Sequence, residues 1–305
     1  MDGQPWRYCG VTAFKLLELF RRGQDVTPFL RLYRALGFNT VRVFRDKPAV
    51  AGLDEGWSAP PLSVVMDFYR LLAAEGFYGE LTLITQQTDP SFIPGWLDVL
   101  LTVPNAFVEA INEPDSRKTP AAAVKAVAHA GALPFASGDY DPPQGVYGSY
   151  MVYHSPRVAD VFEMARKAKG VLDLYDGWDA PADGSGAAFH SPHIPAVGDE
   201  PGKPQDFGYN QDAILAHFAI YGLLGAGGTF HTLGGQFGQL PTDQDYACAQ
   251  AAARGLTAFP ADTSLGAYVH DQGDEGRTGA LRTYRVGSYG VRVHPTNGDP
   301  ILIGV

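Results

Sequence analysis

Apolar residues along this chain alternate between two rhythms. Short runs rich in β-branched and aromatic residues read as strands. Longer stretches, in which apolar residues recur every three or four positions, read as helices. Strands are expected at 8–13, 39–44, 81–85, 106–111, 134–137, 150–154, 194–198 and 228–231. Helices are expected at 25–36, 61–75, 94–102, 119–130, 157–169, 210–224 and 242–256. Gly37 and Gly76 stand where helices should stop, since glycine accepts the left-handed conformation that closes a helix. Thr119 and Pro120 fit the cap and first position of another helix.

Eight strands alternating with helices predict a parallel sheet, and the number eight favours an α/β (β/α)8 TIM barrel over an open doubly wound sheet. After residue 260 the rhythm changes. The stretches ALRTYRV, VRVHP and ILIGV, separated by GSYG and NGDP, predict a small C-terminal antiparallel β element. The expected division is a catalytic barrel over 1–260 and a β appendage packed on it over 261–305. Residues 176–192, rich in Gly, Asp, Ala and Pro, read as a long loop before the seventh strand.

Composition narrows the chemistry. The 305 residues carry 23 Lys and Arg against 33 Asp and Glu, a net charge of −10. A general binder of phosphate backbones needs a positive face, so no nucleic-acid partner is expected. No apolar run has the ~18 residues that would span a bilayer, and no membrane partner is expected. The N-terminus does not read as a signal peptide, because Asp2, Lys15 and Glu18 interrupt its apolar positions. A cytoplasmic, phage-encoded or trimmed chain is expected. Cys9 and Cys248 make no disulfide framework and read as small buried apolar residues.

In barrels of this kind, functional residues gather where strands end and the following loops begin. Arg42 and Arg45 fall near the second strand end, and Gln86 and Gln87 follow the third. Asn112-Glu113-Pro114 follows the fourth, with Asp139 and Tyr140 after the fifth. Tyr153-His154 ends the sixth, Asp199-Glu200-Pro201 the seventh, and His231 the eighth. Two carboxylates facing each other across a barrel mouth suit glycosidic bond cleavage. One protonates the leaving oxygen, while the other attacks the sugar or activates water. Asp199 is the alternative to Glu200, because alternation lets only one of the two neighbours enter the pocket. Asp139 reads as a turn former or a binding residue.

The segments AFVEAINEPD (106–115), IPAVGDEP (194–201) and ALGFNTVRVFR (35–45) resemble the clan A glycoside hydrolases. These are retaining (β/α)8 barrels with Asn-Glu after the fourth strand and Glu after the seventh. The resemblance covers roughly residues 8–232 in layout. It implies Glu113 as acid/base, Glu200 as nucleophile and Asn112 as a partner of the sugar 2-hydroxyl. It also implies that Arg42 lies beneath the nucleophile and that His154 lies near it. Tyr153, Trp178 and His231 complete the expected carbohydrate-binding set. The sequence departs from the family at the eighth strand, where Gly228-Thr229-Phe230-His231 stands in place of a Trp-ended strand. The sugar floor is then expected from Trp178 or Phe230. The mechanism so implied needs no metal or organic cofactor.

Two other readings stay open. A non-catalytic carbohydrate-binding barrel would suit the missing Trp, though it has no need of paired carboxylates. A metal-dependent barrel hydrolase would use His154, His190, His193 and Asp199, although the HSPH stretch reads more readily as loop. The glycine-rich GSG and GAGG stretches lack the full dinucleotide fingerprint. Trp57, Trp96, Trp178, Tyr140 and Tyr153 are candidates either for stacking on sugars or for ordinary packing.

Overall fold

The computed structural model describes residues 7–49, 55–84, 90–100, 102–112, 135–139, 151–154, 187–190, 211–223, 227–231, 242–260, 268–270, 282–286, 288–293 and 301–303. Eight strands follow one another around a closed barrel in chain order. They are β1 (Cys9–Thr12), β2 (Thr40–Phe44), β3 (Tyr78–Ile84), β4 (Ala106–Asn112), β5 (Phe135–Asp139), β6 (Met151–His154), β7 (Ala187–His190) and β8 (Gly227–His231). The helices among the described residues are α1 (Leu16–Arg21), α2 (Thr27–Ala35), α3 (Leu62–Ala74), α4 (Ile93–Leu100), α5 (Gln211–Leu223) and α6 (Asp243–Leu256). The fold class is the expected (β/α)8 barrel with a small antiparallel sheet.

The chain divides into two compact units. One comprises Gly10–His154 and Thr232–Leu240. Here β2, β3 and β4 pair in parallel, with Arg42 opposite Glu80 and Thr82 opposite Glu109. Alternation decides which side chains face inward. A Cβ on Gly79 would lie 2.6 Å from Tyr69 Cε1 and 2.7 Å from Leu72 Cδ1, both on α3. Residue 79 therefore faces the helix layer, as do the buried Leu81 and Leu83. Tyr78, Glu80 and Thr82 take the opposite, barrel-interior face. Arg42 and Glu109 share that face through their register. Helices α2 and α3 end as expected: Gly37 and Gly76 have φ of 99° and 77°. Helix α1 is an element the periodicity did not predict. Its Glu18 is buried and accepts from Arg21 and Arg22. Burial alone would raise the Glu18 pKa, but the hydrogen bonds and charge of the two arginines lower it below its ordinary value.

The other unit comprises Met1–Cys9, Ser155–His231 and Pro241–Val305. Strand β7 pairs with β8 in parallel, with Phe189 opposite Gly228 and His190 opposite Thr229. Helices α5 and α6 cross at glycines: a Cβ on Gly255 would lie 2.5 Å from the Leu215 carbonyl oxygen. Thr242 caps α6, its hydroxyl accepting from the Asp245 N–H while the Asp245 carboxylate accepts from the Thr242 N–H, a reciprocal capping box. Arg7 donates to the carbonyls of Leu256, Phe259 and Pro260 at the far end of that helix. The antiparallel sheet runs β12-β11-β10-β9, comprising β9 (Tyr268–His270), β10 (Arg282–Val286), β11 (Tyr289–Val293) and β12 (Ile301–Ile303). It packs on α5 through β10 and β11.

One strand lies elsewhere than expected. The seventh place in the barrel belongs to Ala187–His190, not to 194–198. The tract read as a loop over 176–192 therefore contains a strand, and His190 is a strand residue. The stretch 194–198 lies outside the described residues. The run AAFH is short and follows a Gly- and Asp-rich stretch, so the more apolar IPAVG outcompeted it as a pattern. The expected helices at 119–130 and 157–169 also lie outside the described residues.

Candidate active site

Several strands end on residues able to do chemistry. Strand β4 ends on Asn112, β5 on Asp139 and β6 on His154. In the other unit, β7 ends on His190 and β8 on His231. Tyr153 is the penultimate residue of β6. Asp139 belongs to its strand rather than to the turn after it. Strand β4 is irregular near its end: Glu109 pairs with Ala136 and Ile111 with Ser137, so the register against β5 shifts between them. Glu113 is the first residue after β4. Glu113, Glu200, Asp199, His193, Trp178, Tyr140, Gln86 and Gln87 lie outside the described residues. Because β7 ends at His190, Glu200 stands ten residues beyond that strand, not at its end.

Beneath the ends of β2 to β4 lies a buried polar network that the sequence reading missed. Arg42 is 1% exposed and Glu109 is 0% exposed. Arg42 donates Nε and Nη2 to the same Glu109 oxygen, Oε2, at 2.9 and 2.5 Å. The Thr82 hydroxyl donates to that oxygen as well. Glu109 Oε1 is buried with no hydrogen-bond partner among the described residues. The Arg42 guanidinium also lies over the rings of Phe14 and Phe44, 5.5 and 4.9 Å from their centroids. Arg42 is expected beneath the nucleophile Glu200, which lies outside the described residues; among the described residues its acidic partner is the fully buried Glu109. A signal for Glu109 did exist. A carboxylate inside the apolar run AFVEAI demands a buried cation, and Arg42 is a cation inside the similar run NTVRVF.

The candidate sugar-stacking aromatics in this region are packed. Trp57 is 8% exposed, clusters with Phe14 and Phe44, and donates its indole N–H to the Phe44 carbonyl at 3.4 Å. Trp96 is 9% exposed and lies beside Arg45, whose guanidinium sits 3.5 Å from the Phe92 centroid and pairs with Asp46. Phe230, expected as a possible floor for a sugar, is fully buried against Phe218 of α5, with centroids 6.1 Å apart. It faces the helix layer and cannot floor a sugar site. Among the described residues, no three His, Cys, Asp or Glu side chains are grouped to hold a metal ion.

Several solved structures share this architecture. The endo-β-1,4-mannanase from Thermotoga petrophila is similar at TM-score 0.52 and 11% identity, covering 99% of this chain and 92% of its own. The endo-1,4-β-mannanase from Rhizomucor miehei is similar at TM-score 0.51 and 10% identity, with coverages of 85% and 97%. AmyP in complex with maltose is similar at TM-score 0.51 and 10% identity, with coverages of 88% and 78%. No protein-family model matches the chain, and no curated protein matches it in sequence. At such identities a likeness establishes fold alone: this chain has the (β/α)8 barrel fold found in glycoside hydrolases.

Proposed function

We propose that the chain is a retaining glycoside hydrolase that cleaves a β-linked oligo- or polysaccharide by double displacement. Glu113 protonates the leaving oxygen while Glu200 attacks the anomeric carbon. Glu113 then takes a proton from water, which releases the covalent glycosyl-enzyme. The observation that supports the reading is the end of β4: its last residue is Asn112, next to Glu113 in sequence, and barrels do their chemistry where strands end. In the same unit, the Asp that ends β5 and the His that ends β6 are residue types suited to sugar hydroxyls. In this reading residues 1–260 form the catalytic part, and 261–305 the β appendage.

A β-1,4-mannan is the first substrate to try, since two of the similar structures are endo-β-1,4-mannanases. The maltose bound to AmyP makes α-linked glucosides the necessary contrast. The test is a panel of polysaccharides and chromogenic glycosides, followed by Glu113→Gln and Glu200→Ala. Hydrolysis of a β-linked member, loss of it in both variants, and partial recovery of the Glu200→Ala variant by azide support the reading. A chain that binds these sugars without cleaving them is the non-catalytic barrel instead.

A further inference from the structure

We propose that Glu109 is a positioning residue of the cleavage reaction, acting through Arg42; the proposal rests on the glycosidase reading. Glu109 is fully buried, so it does not touch substrate. It lies on β4 three residues before the terminal Asn112, and Arg42 lies on β2 two residues before the terminal Phe44. The pair thus sits a short way beneath the strand ends over which a sugar would bind. Glu109 engages Nε and Nη2 of the guanidinium, and Nη1 is the nitrogen this pair does not use. Together with Thr82 and the Phe14 and Phe44 rings, the carboxylate fixes the plane of that cation.

Energetics favour a role beyond stability. Burying an ion pair seldom stabilises a fold more than apolar residues of the same volume would, because both charges lose their hydration. A cation fixed in a dry site, however, keeps a nearby carboxylate ionised without reorganising, and the nucleophile of a double displacement must be ionised to attack. Without Glu109 the long Arg42 side chain would sample other rotamers, and the field at the reacting centre would blur. Displacements of about 1 Å far from the reacting bond can cost about a hundredfold in rate.

The test is steady-state kinetics on the aryl β-glycoside that the unaltered chain hydrolyses fastest, for Glu109→Gln and for the milder Thr82→Val. Active sites are counted with a 2-fluoro glycoside, and folding is followed by thermal unfolding. For folded Glu109→Gln, kcat should fall by about tenfold to a hundredfold with KM within about threefold. Thr82→Val should lose less, again in kcat. Unchanged kcat per active site with only a lower Tm makes Glu109 a structural residue and overturns the proposal, as does a change confined to KM. If Glu109→Gln fails to fold, Thr82→Val decides: unchanged kcat overturns the proposal. No hydrolysis by the unaltered chain overturns the glycosidase reading and this assignment with it. Cleavage that needs Glu113 but ignores residues 82 and 109 overturns this assignment alone.

Discussion

Glu109 Oε2 accepts two hydrogen bonds from Arg42, at 2.9 and 2.5 Å, across a barrel interior from which both side chains are shut off from water. Removing one partner strands the other charge. Arg42→Met should therefore destabilise the fold by about 3–5 kcal/mol. The paired replacement Arg42→Met with Glu109→Leu should cost clearly less than the two single changes added together. A double-mutant cycle by denaturant unfolding checks this, and additive losses would mean that the two side chains do not interact as described.

The crossing of α5 and α6 should tolerate no added methyl. At Gly255 a Cβ would run into the backbone of α5 at two points, the Leu215 oxygen at 2.5 Å and the Ala219 nitrogen at 2.8 Å. Gly255→Ala should lower stability by about 1–3 kcal/mol despite alanine's better helix propensity. Gly95 in α4 is the control: nothing lies within 4 Å of its Cβ position. There the same change should be neutral or stabilise by up to about 1 kcal/mol. Thermal unfolding of the two variants should give shifts of opposite sign, or a shift at Gly255 alone.

Burial pushes the Cys9 thiol up to about 12, the Arg7 charge offsetting only part of it, and pushes the Cys248 thiol up to about 11. In the unfolded chain both would ionise near their ordinary value of 9.0. Their folded pKa values are raised, so their contribution is intact below pH 9 and is lost as pH rises towards 11 and 12. For Cys9 the slope across that window is about 1.4 kcal/mol per pH unit. Stability curves of the unaltered chain and Cys9→Ala should converge as pH rises above 9. Curves that stay parallel would show that Cys9 ionises alike in both states. Neither thiol should react with iodoacetamide at pH 8 until the chain unfolds.

The fold was legible because its signals are local. Strand and helix rhythms, with glycines closing α2 and α3, place β1 to β6, β8, α2 to α6 and β10 to β12 within a few residues of where they lie, whereas the three-residue β9 carries too short a pattern to be read. Strand β7 escaped because a four-residue run of Ala, Ala, Phe and His carries little β signal, while β8 supplies its partner from far along the chain. The Arg42–Glu109 pair escaped for a related reason. Its strands are not neighbours in the barrel, and only the register through β3 brings their side chains to one face. Phe230 was misread because strand parity, not proximity to a strand end, decides whether a side chain faces the helices. The triplet starting at Asn112 was legible, since it follows an apolar run that could only be a strand.

The most direct measurement is turnover by the unaltered chain, Glu113→Gln and Glu200→Gln on one β-linked substrate, with folding of each confirmed. Each carboxylate variant should lose at least about a hundredfold in kcat/KM while staying folded. Full turnover in both variants would contradict the assignment of bond cleavage to this pair of carboxylates.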